Sequence, residues 1–282
     1  MQTRARAQRS LLSSIGFVIS LSAALAFALF PLLWIALTSL KSNRDILEMP
    51  PLFVFQPTLE HWQSVWQAYG FLRFYGNSLI IGTCTAIVVL VVGTLAAYSL
   101  ARSKSKVREN LAFFILSQRM MPPVAVVLPI YIMLSEIKAL DRLETLIMMN
   151  VAFNLPLAIW IIRGFIESLQ IELEEAAVVD GATWFGAFVR VGLPQIVPGL
   201  LSSALLVFIY TMNEFFFALI LSGTKARPIS VAVQNYLPTG VRGTMFGEAA
   251  VASILIMLPC LLFAIIMQRH LVSGISLGAL KG

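Results

Sequence analysis

Long apolar windows dominate the pattern of hydrophobic and polar positions along this chain. Each is about 18 residues or longer, and they lie at approximately residues 11–37, 77–100, 111–134, 145–162, 197–221 and 249–268. Four of them carry no charge, whereas the third contains Arg119 and the fifth contains Glu214. A charge at the bilayer centre costs about 2.5–3.5 kcal/mol, so such windows mark membrane spans. The windows lack the two-residue alternation of barrel strands, so the pattern predicts six transmembrane helices.

Composition supports a membrane protein. Hydrophobic residues make up 59% of the 282 residues, charged residues only 12%, and the mean hydropathy is +0.86. A soluble domain carries about a quarter charged residues. The formal charge of +6 is spread thinly, so nucleic acid is not an expected partner. Cys84 and Cys260 lie in apolar runs, and His61 and His270 lack ligand spacing, so no metal site is expected.

The distribution of positive charge predicts the orientation. Residues 101–110 carry four positive charges, and the first nine residues carry three. Cytoplasmic segments are enriched in Lys and Arg, so we expect the N-terminus in the cytoplasm. Six spans then return the C-terminus to the same side. The segment between spans four and five is predicted to be cytoplasmic as well.

That segment has helix-start and helix-stop signals in close succession. Residues 172–179 are rich in helix formers, and Gly181 follows where a helix needs a residue that tolerates positive φ. Thr183 is a suitable N-cap for a second helix, which Pro194 is expected to end. The sequence therefore predicts two short helices over approximately residues 172–191.

The two helices are predicted to be amphipathic. We expect one polar face to contain Glu174, Glu175 and Asp180, and one apolar face to contain Trp184, Phe185, Phe188 and Val189. Interfacial helices that lie on anionic lipid usually carry Lys and Arg on the polar face, whereas this polar face is acidic. The residues alone leave two interpretations open, a lipid-surface connector and a docking site for a protein partner.

The spacing of this segment resembles a known motif. Glu175-Ala176-Ala177, three residues, Gly181, nine residues and Val191-Gly192-Leu193-Pro194 resemble the EAA motif of ATP-binding-cassette (ABC) importer permeases, with Val191 where the family has isoleucine. In that family the motif forms a coupling helix that docks in a cleft of the ATPase subunit. The resemblance implies the following coupling residues: Glu174, Glu175, Ala176, Ala177, Asp180, Gly181, Leu193 and Pro194.

The resemblance extends over roughly residues 11–282 and is closest to maltose-type and polyol-type permeases. Residues 122–133, 155–183 and 268–282 carry it, and Met212 stands where the family usually has tryptophan. It implies one membrane domain over residues 1–282 with the type I importer permease fold, in the inner membrane. The implied partners are a second homologous permease, two ATPase subunits and an extracytoplasmic solute-binding protein. No phosphate-binding Gly-rich motif occurs in this sequence, so ATP and Mg²⁺ are expected on the partner ATPase, and no cofactor is expected on this chain.

Polar residues inside the spans are candidates for the substrate path, because lipid exposure of such groups is costly. The candidates are Asn213, Glu214, Arg119, Gln118 and Asn154. Carboxylates and amides bind sugar hydroxyls well. Two structural alternatives remain open for them. Arg119 could extend to the interface or pair with an acid, and Asn213 and Glu214 could form interhelical hydrogen bonds.

The outer loop that contains Pro228, Asn235 and Tyr236 is a further candidate. In maltose-type importers the equivalent loop reaches into the solute-binding protein, so the resemblance implies the same contact for these residues.

The sequence therefore predicts the permease subunit of an ATP-driven carbohydrate or sugar-alcohol importer, with no catalytic residue of its own. An importer of the same class for another solute, such as a glycerol phosphate, is the first alternative. A stand-alone secondary transporter would need no docking helix. A membrane enzyme is third, because the sequence has no catalytic constellation.

Overall fold

The structure is a computed structural model of the chain. It describes the backbone of residues 2–68, 70–236 and 245–279, and the side chains of residues 16–68, 70–234 and 245–268. Within these ranges the regular structure is entirely helical. The α-helices are α1 Gln2–Thr38, α2 Asn43–Leu47, α3 Glu60–Gln67, α4 Phe71–Arg102, α5 Arg108–Ser117, α6 Pro123–Glu136, α7 Leu143–Ser168, α8 Ile171–Val179, α9 Trp184–Ala187, α10 Leu193–Gln195, α11 Val197–Met212, α12 Phe216–Leu221, α13 Ile229–Ala232 and α14 Phe246–Ala279.

Within the described part of the chain, four helical segments are long and apolar enough to cross a membrane. They are Gly16–Thr38, Phe71–Arg102, Leu143–Glu167 and Phe246–Gln268. Two bent helix pairs raise the number to six if each pair is one span. The prediction of an all-α integral membrane protein is therefore confirmed, and the six predicted spans equal the upper limit of four to six candidates.

The third span is not the single helix that its apolar window suggests. Arg108–Met120 and Pro123–Glu136 meet at an angle of 85°. Between them Met121 and Pro122 have extended backbones, with ψ of 127° and 123°. A proline disfavours the helical conformation of the residue before it, and here two successive prolines apply that restriction twice. The hydropathy window detects the apolar length but not this break.

The fifth window, residues 197–221, also contains a break. α11 ends at Met212, and α12 begins at Phe216. The carboxylate of Glu214 accepts hydrogen bonds from the backbone N–H groups of Phe217 at 2.7 Å and Ala218 at 3.0 Å. It thereby satisfies N–H groups that a helix start leaves without a partner in the helix. A polar residue in an apolar span thus marks the start of a new helix.

The contacts group the chain into two compact units, residues 69–234 with 256–282 and residues 1–68 with 235–255. The single membrane domain over residues 1–282 stays a prediction. In the larger unit α4, α7 and α11 pack closely around small residues. A side chain at Gly93 on α4 would touch Leu155, Ala158 and Ile162 of α7 at 3.6–3.8 Å. Small residues let membrane helices approach closely, and this packing positions the ends of α4 and α7.

The smaller unit is held by polar and aromatic contacts. The backbone N–H of Thr58 donates to the carbonyl of Leu40 at 2.8 Å. The buried His61 Nδ1 lies 3.2 Å from Glu248 Oε1. The ammonium group of Lys41 lies over the Trp34 ring, 4.5 Å from its centroid. These contacts order the segment between α1 and α3.

Candidate functional site

Three regions carry most of the predicted functional residues, and the first is the segment from α8 to α10. α8 ends in a left-handed Gly181 with φ of +94°. The N–H of Gly181 donates to the Val178 carbonyl, and the N–H of Ala182 donates to the Ala177 carbonyl, both at 3.0 Å. These two bonds form a complete Schellman motif. The predicted helix stop at Gly181 is confirmed.

The start of the second helix is also confirmed, but its end is not. Thr183 accepts a hydrogen bond from the backbone N–H of Gly186 at 3.1 Å, as an N-cap does. The prediction that Pro194 ends this helix is wrong, because Phe188–Gly192 winds as a π-helix and continues into α10. Pro194 lies inside this continued helix, which ends one residue later at Gln195. A bend of 74° follows, between Gln195 and Val197.

One surface of this segment is exposed and mixes acidic with apolar side chains. The carboxylates of Glu175 and Asp180 are exposed. Val179, Trp184 and Phe185 are 87%, 52% and 59% exposed. We call these five residues the outward face. Ala176 and Pro194 are exposed beside them, and Ala177 and Leu193 are half-buried.

Glu174 does not belong to this polar face, contrary to the sequence prediction. It is only 1% exposed, and it accepts hydrogen bonds from Arg102 Nε at 3.1 Å and Nη2 at 3.0 Å. The hydroxyl of Tyr98 lies 3.4 Å from the same carboxylate. Consecutive residues of an α-helix point about 100° apart, so Glu174 can face inward while Glu175 faces outward. Phe188, predicted on the apolar face together with Trp184 and Phe185, is buried, whereas those two side chains are exposed.

The second region is a cavity of about 280 Å³ between the broken spans and α7. Arg119, Asn154 and Glu214 line it, so three of the five predicted substrate-path residues lie together. The remaining lining residues are mostly apolar or aromatic and are Pro123, Met149, Asn150, Phe153, Tyr210, Phe216 and Phe217. Small-molecule sites commonly combine an apolar lining with a few convergent polar groups in this way.

The polar groups of the cavity are held in place by bonds within the chain. Arg119 Nη1 donates to the Phe153 carbonyl at 3.1 Å, and its guanidinium lies 4.7 Å from the centroid of the Tyr210 ring. No ion pair of Arg119 occurs among the side chains that the structure describes. The amide of Asn154 donates to the Asn150 carbonyl at 2.9 Å. The cavity thus presents a guanidinium without a carboxylate partner beside a carboxylate that caps α12.

Gln118 and Asn213 do not line this cavity. Both side chains are exposed, and each amide nitrogen donates to a carbonyl four residues earlier, Phe114 for Gln118 at 3.4 Å and Ile209 for Asn213 at 2.9 Å. Their sequence neighbours Arg119 and Glu214 point into the cavity because the two breaks turn them there. The structure therefore places three of the five candidates at the cavity, and the substrate-path role of all five stays a prediction.

Asn150 and Tyr210 line the cavity but were missed in the sequence. Asn150 precedes Asn154 by four residues in a window without charges. Residues four apart share one face of a helix, so this pair was a readable signal for a polar stripe on α7. Tyr210 gave no such signal, because an aromatic residue in an apolar span is ordinary.

The loop after α12, predicted to be the outer loop, is fastened by Asp141. Its carboxylate accepts hydrogen bonds of 2.8–3.1 Å from the backbone N–H groups of residues 223–226. Burial alone would raise the pKa of Asp141, but these hydrogen bonds outweigh it and hold the pKa below its usual value. The amide of Asn77 adds hydrogen bonds to the carbonyls of Lys225 and Arg227, both at 2.9 Å.

The candidate residues of this loop are placed only in part. Pro228 is buried and precedes α13, so it is not presented at the surface of this structure. Asn235 and Tyr236 end a 3₁₀ turn, Val233–Tyr236, and their side chains lie outside the described residues. Among the described residues, no group of three or more His, Cys, Asp or Glu could hold a metal ion.

Comparison with known proteins places this geometry in a family. The family model described as "Binding-protein-dependent transport system inner membrane component" matches residues 89–277, which include both the α8–α10 segment and the cavity. The trehalose transport system permease protein SugB of Mycobacterium tuberculosis is 34% identical, with 91% of this chain and 93% of that protein covered.

A second relative and a solved structure agree with this match. The trehalose/maltose transport system permease protein MalG of Thermococcus litoralis is 33% identical, covering 90% of this chain and 92% of that protein. The crystal structure of a bacterial ABC transporter that imports alginate has a chain with a TM-score of 0.76 and 19% identity. The alignment covers 92% of this chain and 96% of that one. At this identity the structural likeness supports the fold alone.

Proposed function

Because the chain belongs to the family of inner-membrane components of binding-protein-dependent transport systems, we propose that it is the permease subunit of an ATP-driven importer for a carbohydrate or sugar alcohol. Relatives named for trehalose and maltose transport support the carbohydrate class. The outward face of the α8–α10 segment is the observation that carries the proposal. Its exposed apolar and acidic side chains suit a protein partner, and it lies at the segment that resembles the coupling motif.

The composition of the outward face favours an ATPase subunit as its occupant. Val179, Trp184 and Phe185 are large apolar side chains exposed beside two carboxylates, Glu175 and Asp180. Aromatic residues are enriched in the energetic centres of protein interfaces, and charged residues around them set the orientation of docking. The acidic side chains favour a basic rim around the docking cleft. The fixed turn at Gly181 holds the two parts of the face in one geometry.

The assembly follows from this role. The chain works beside a second homologous permease, two ATPase subunits that bind ATP and Mg²⁺, and an extracytoplasmic solute-binding protein. The positive charges of residues 101–110 support a cytoplasmic location for the outward face and for both termini. ATP hydrolysis takes place on the partner chains.

Transport then proceeds by alternating access. ATP binding closes the ATPase dimer and carries the docked segment with it, and the spans open outward. ATP shifts this equilibrium only because the partner contacts the segment differently in the two states. The 85° bend in the third span and the break between α11 and α12 in the fifth divide two of the spans into shorter helices, which can change their packing without unwinding a full helix.

The cavity supports a hydroxyl-rich solute. Asn154 and Arg119 supply polar groups, and Tyr210 and Phe153 supply aromatic surface for the apolar face of a sugar ring. One observation favours the alternative of an anionic solute such as a glycerol phosphate. Arg119 has no carboxylate partner among the described side chains, and guanidinium groups bind phosphate bidentately.

Charge reversal on the outward face tests the docking. We expect Glu175→Lys to weaken ATPase binding by about 2 kcal/mol or more, which is over tenfold in affinity. ATPase recovered with the affinity-tagged permease measures this loss. Glu144→Lys is the matched control, since Glu144 is equally exposed but lies at the first turn of α7. Normal ATPase recovery with Glu175→Lys, or solute import by this chain alone without nucleotide, would refute the proposal.

A further inference from the structure

The carboxylate of Glu174 joins parts of the chain that are distant in sequence. Arg102, the last residue of α4, binds both carboxylate oxygens, at 3.1 and 3.0 Å. Tyr98 lies one turn earlier on α4, and its hydroxyl is 3.4 Å from Glu174 and 3.4 Å from the Trp184 carbonyl. The end of α4 therefore contacts both α8 and α9.

The pair is enclosed by close packing on its other sides. A Cβ at Gly192 would lie 2.8 Å from Glu174 Oε1, so a side chain there would displace the carboxylate. The Phe188 ring stacks on Tyr98 with centroids 4.0 Å apart. The side chains of Glu174 and Arg102 are 1% and 15% exposed. A carboxylate buried this deeply needs its cationic partner, because an unpaired buried charge is strongly unfavourable.

The covalent connection from α7 to α8 is not a continuous helix. α7 ends at Ser168, and Leu169 and Gln170 have extended backbones with ψ of 141° and 117°. Two extended residues form a joint that transmits displacement poorly compared with a helix. The bidentate contact with α4 is therefore an additional connection between the α8–α10 segment and the spans, beside the chain links to α7 and α11.

α4 leads from this contact to the neighbourhood of the cavity. It has 32 residues and is about 48 Å long at 1.5 Å per residue. Near its other end, Ser78 and Ile81 lie around a small space together with Asn150 and Glu214. Asn150 and Glu214 also line the larger cavity. One rigid helix thus connects the α8–α10 segment to residues of the candidate substrate site.

We infer that Glu174 and Arg102 are positioning residues that fasten the α8–α10 segment to α4, so that the two move as one body. Glu175 contacts the ATPase subunit. Glu174 transmits the displacement of the segment to α4, and α4 transmits it to the surroundings of Asn150 and Glu214. This inference rests on the proposed function and adds the internal route of the coupling. A small movement at the docked segment then changes the packing beside the cavity.

Distance measurements on the assembled transporter test whether the segment and α4 move together. Spin labels are placed at Glu172→Cys on α8 and Leu72→Cys near the start of α4, both exposed, after Cys84 and Cys260 are replaced by serine. With the parent pair intact, we expect the same distance distribution in the nucleotide-free and ATP-bound states.

In the Glu174→Gln variant the distribution of distances between the two labels should broaden and shift on ATP binding. The ATPase should still co-purify, because the outward face is unchanged. Reciprocal exchange, Arg102→Glu with Glu174→Arg, rebuilds a pair of opposite polarity and should restore the parent distribution. A merely structural role would not produce a shift that depends on nucleotide. Glu144→Gln is the control for removing one carboxylate elsewhere.

The outcomes separate this inference from the proposed function. If the parent chain fails to recover any ATPase, the proposed function fails. If Glu174→Gln keeps the ATPase and also keeps the parent distances in both states, the inference alone is overturned. Loss of the ATPase from Glu174→Gln and from the reciprocal exchange alike would also overturn it, because Glu174 would then act in docking itself.

Discussion

Replacing Gly181 with alanine should impair coupling through the backbone alone. Gly181 has φ of +94°, and no atom lies within 4 Å of the position that a Cβ would occupy. The substitution therefore causes no clash, and its whole cost is the positive φ, about 1–2 kcal/mol for an L-residue. The affected turn carries the two hydrogen bonds from Gly181 and Ala182 that end α8.

A cost of this size changes the population of the native turn by about 5- to 30-fold. Because Thr183 and Trp184 follow directly, a relaxed turn moves α9 away from α8 and splits the outward face. We expect the apparent affinity for the ATPase to fall in proportion to the remaining fraction of native turn, by this factor at most, since only the native turn binds. Titration of the purified ATPase onto the reconstituted permease measures this change.

Gly164→Ala is the matched control for Gly181→Ala. No atom lies within 4 Å of its Cβ position either, but Gly164 lies within α7 and has no positive φ, so alanine there should be neutral or stabilising. Gly181→Asn should be milder than Gly181→Ala, because asparagine tolerates the left-handed region better. Equal ATPase affinity for Gly181→Ala and the parent, or equal losses for alanine and asparagine, would refute the backbone argument.

Two further predictions concern the outer loop and the cavity. The lowered pKa of Asp141 implies that its carboxylate stabilises the loop of residues 223–226. This stabilisation is complete above about pH 4 and is lost as the pH falls through the lower folded-state pKa. Amide-exchange protection of residues 223–226 should therefore drop only below about pH 4. Asp141→Asn should lower this protection at neutral pH and remove its dependence on pH. A loss of protection between pH 5 and 8 in the parent would contradict the assignment. Arg119→Gln should weaken the binding of an anionic solute such as a glycerol phosphate about tenfold or more, but the binding of a neutral disaccharide only a few-fold. Binding of both solutes to the purified transporter checks this, and equal losses would remove the reason for the anionic alternative.

The break in the fifth span shows why the candidate cavity was only partly predictable. Hydropathy placed Asn213 and Glu214 inside one window, and nothing local distinguished them. The structure turns Glu214 into the cavity as the cap of α12 and leaves Asn213 exposed. Which of the two side chains faces the cavity depends on the positions of α7 and the third span. These positions are set by contacts between segments that are distant in sequence. The same holds for Arg119, which contacts Phe153 and Tyr210.

The sequence by itself determined the features that depend on neighbouring residues. Apolar length located the spans, and the left-handed Gly181 and the Thr183 cap followed from local backbone chemistry. Only the tertiary structure decided that Glu174 is buried, because its partner Arg102 lies 72 residues earlier on α4. The tertiary structure also decided that the helix continues past Pro194, because the π-helical turn Phe188–Gly192 before it accommodates the proline ring. Local rules limit what each residue can do, and packing between distant helices selects which side chains meet.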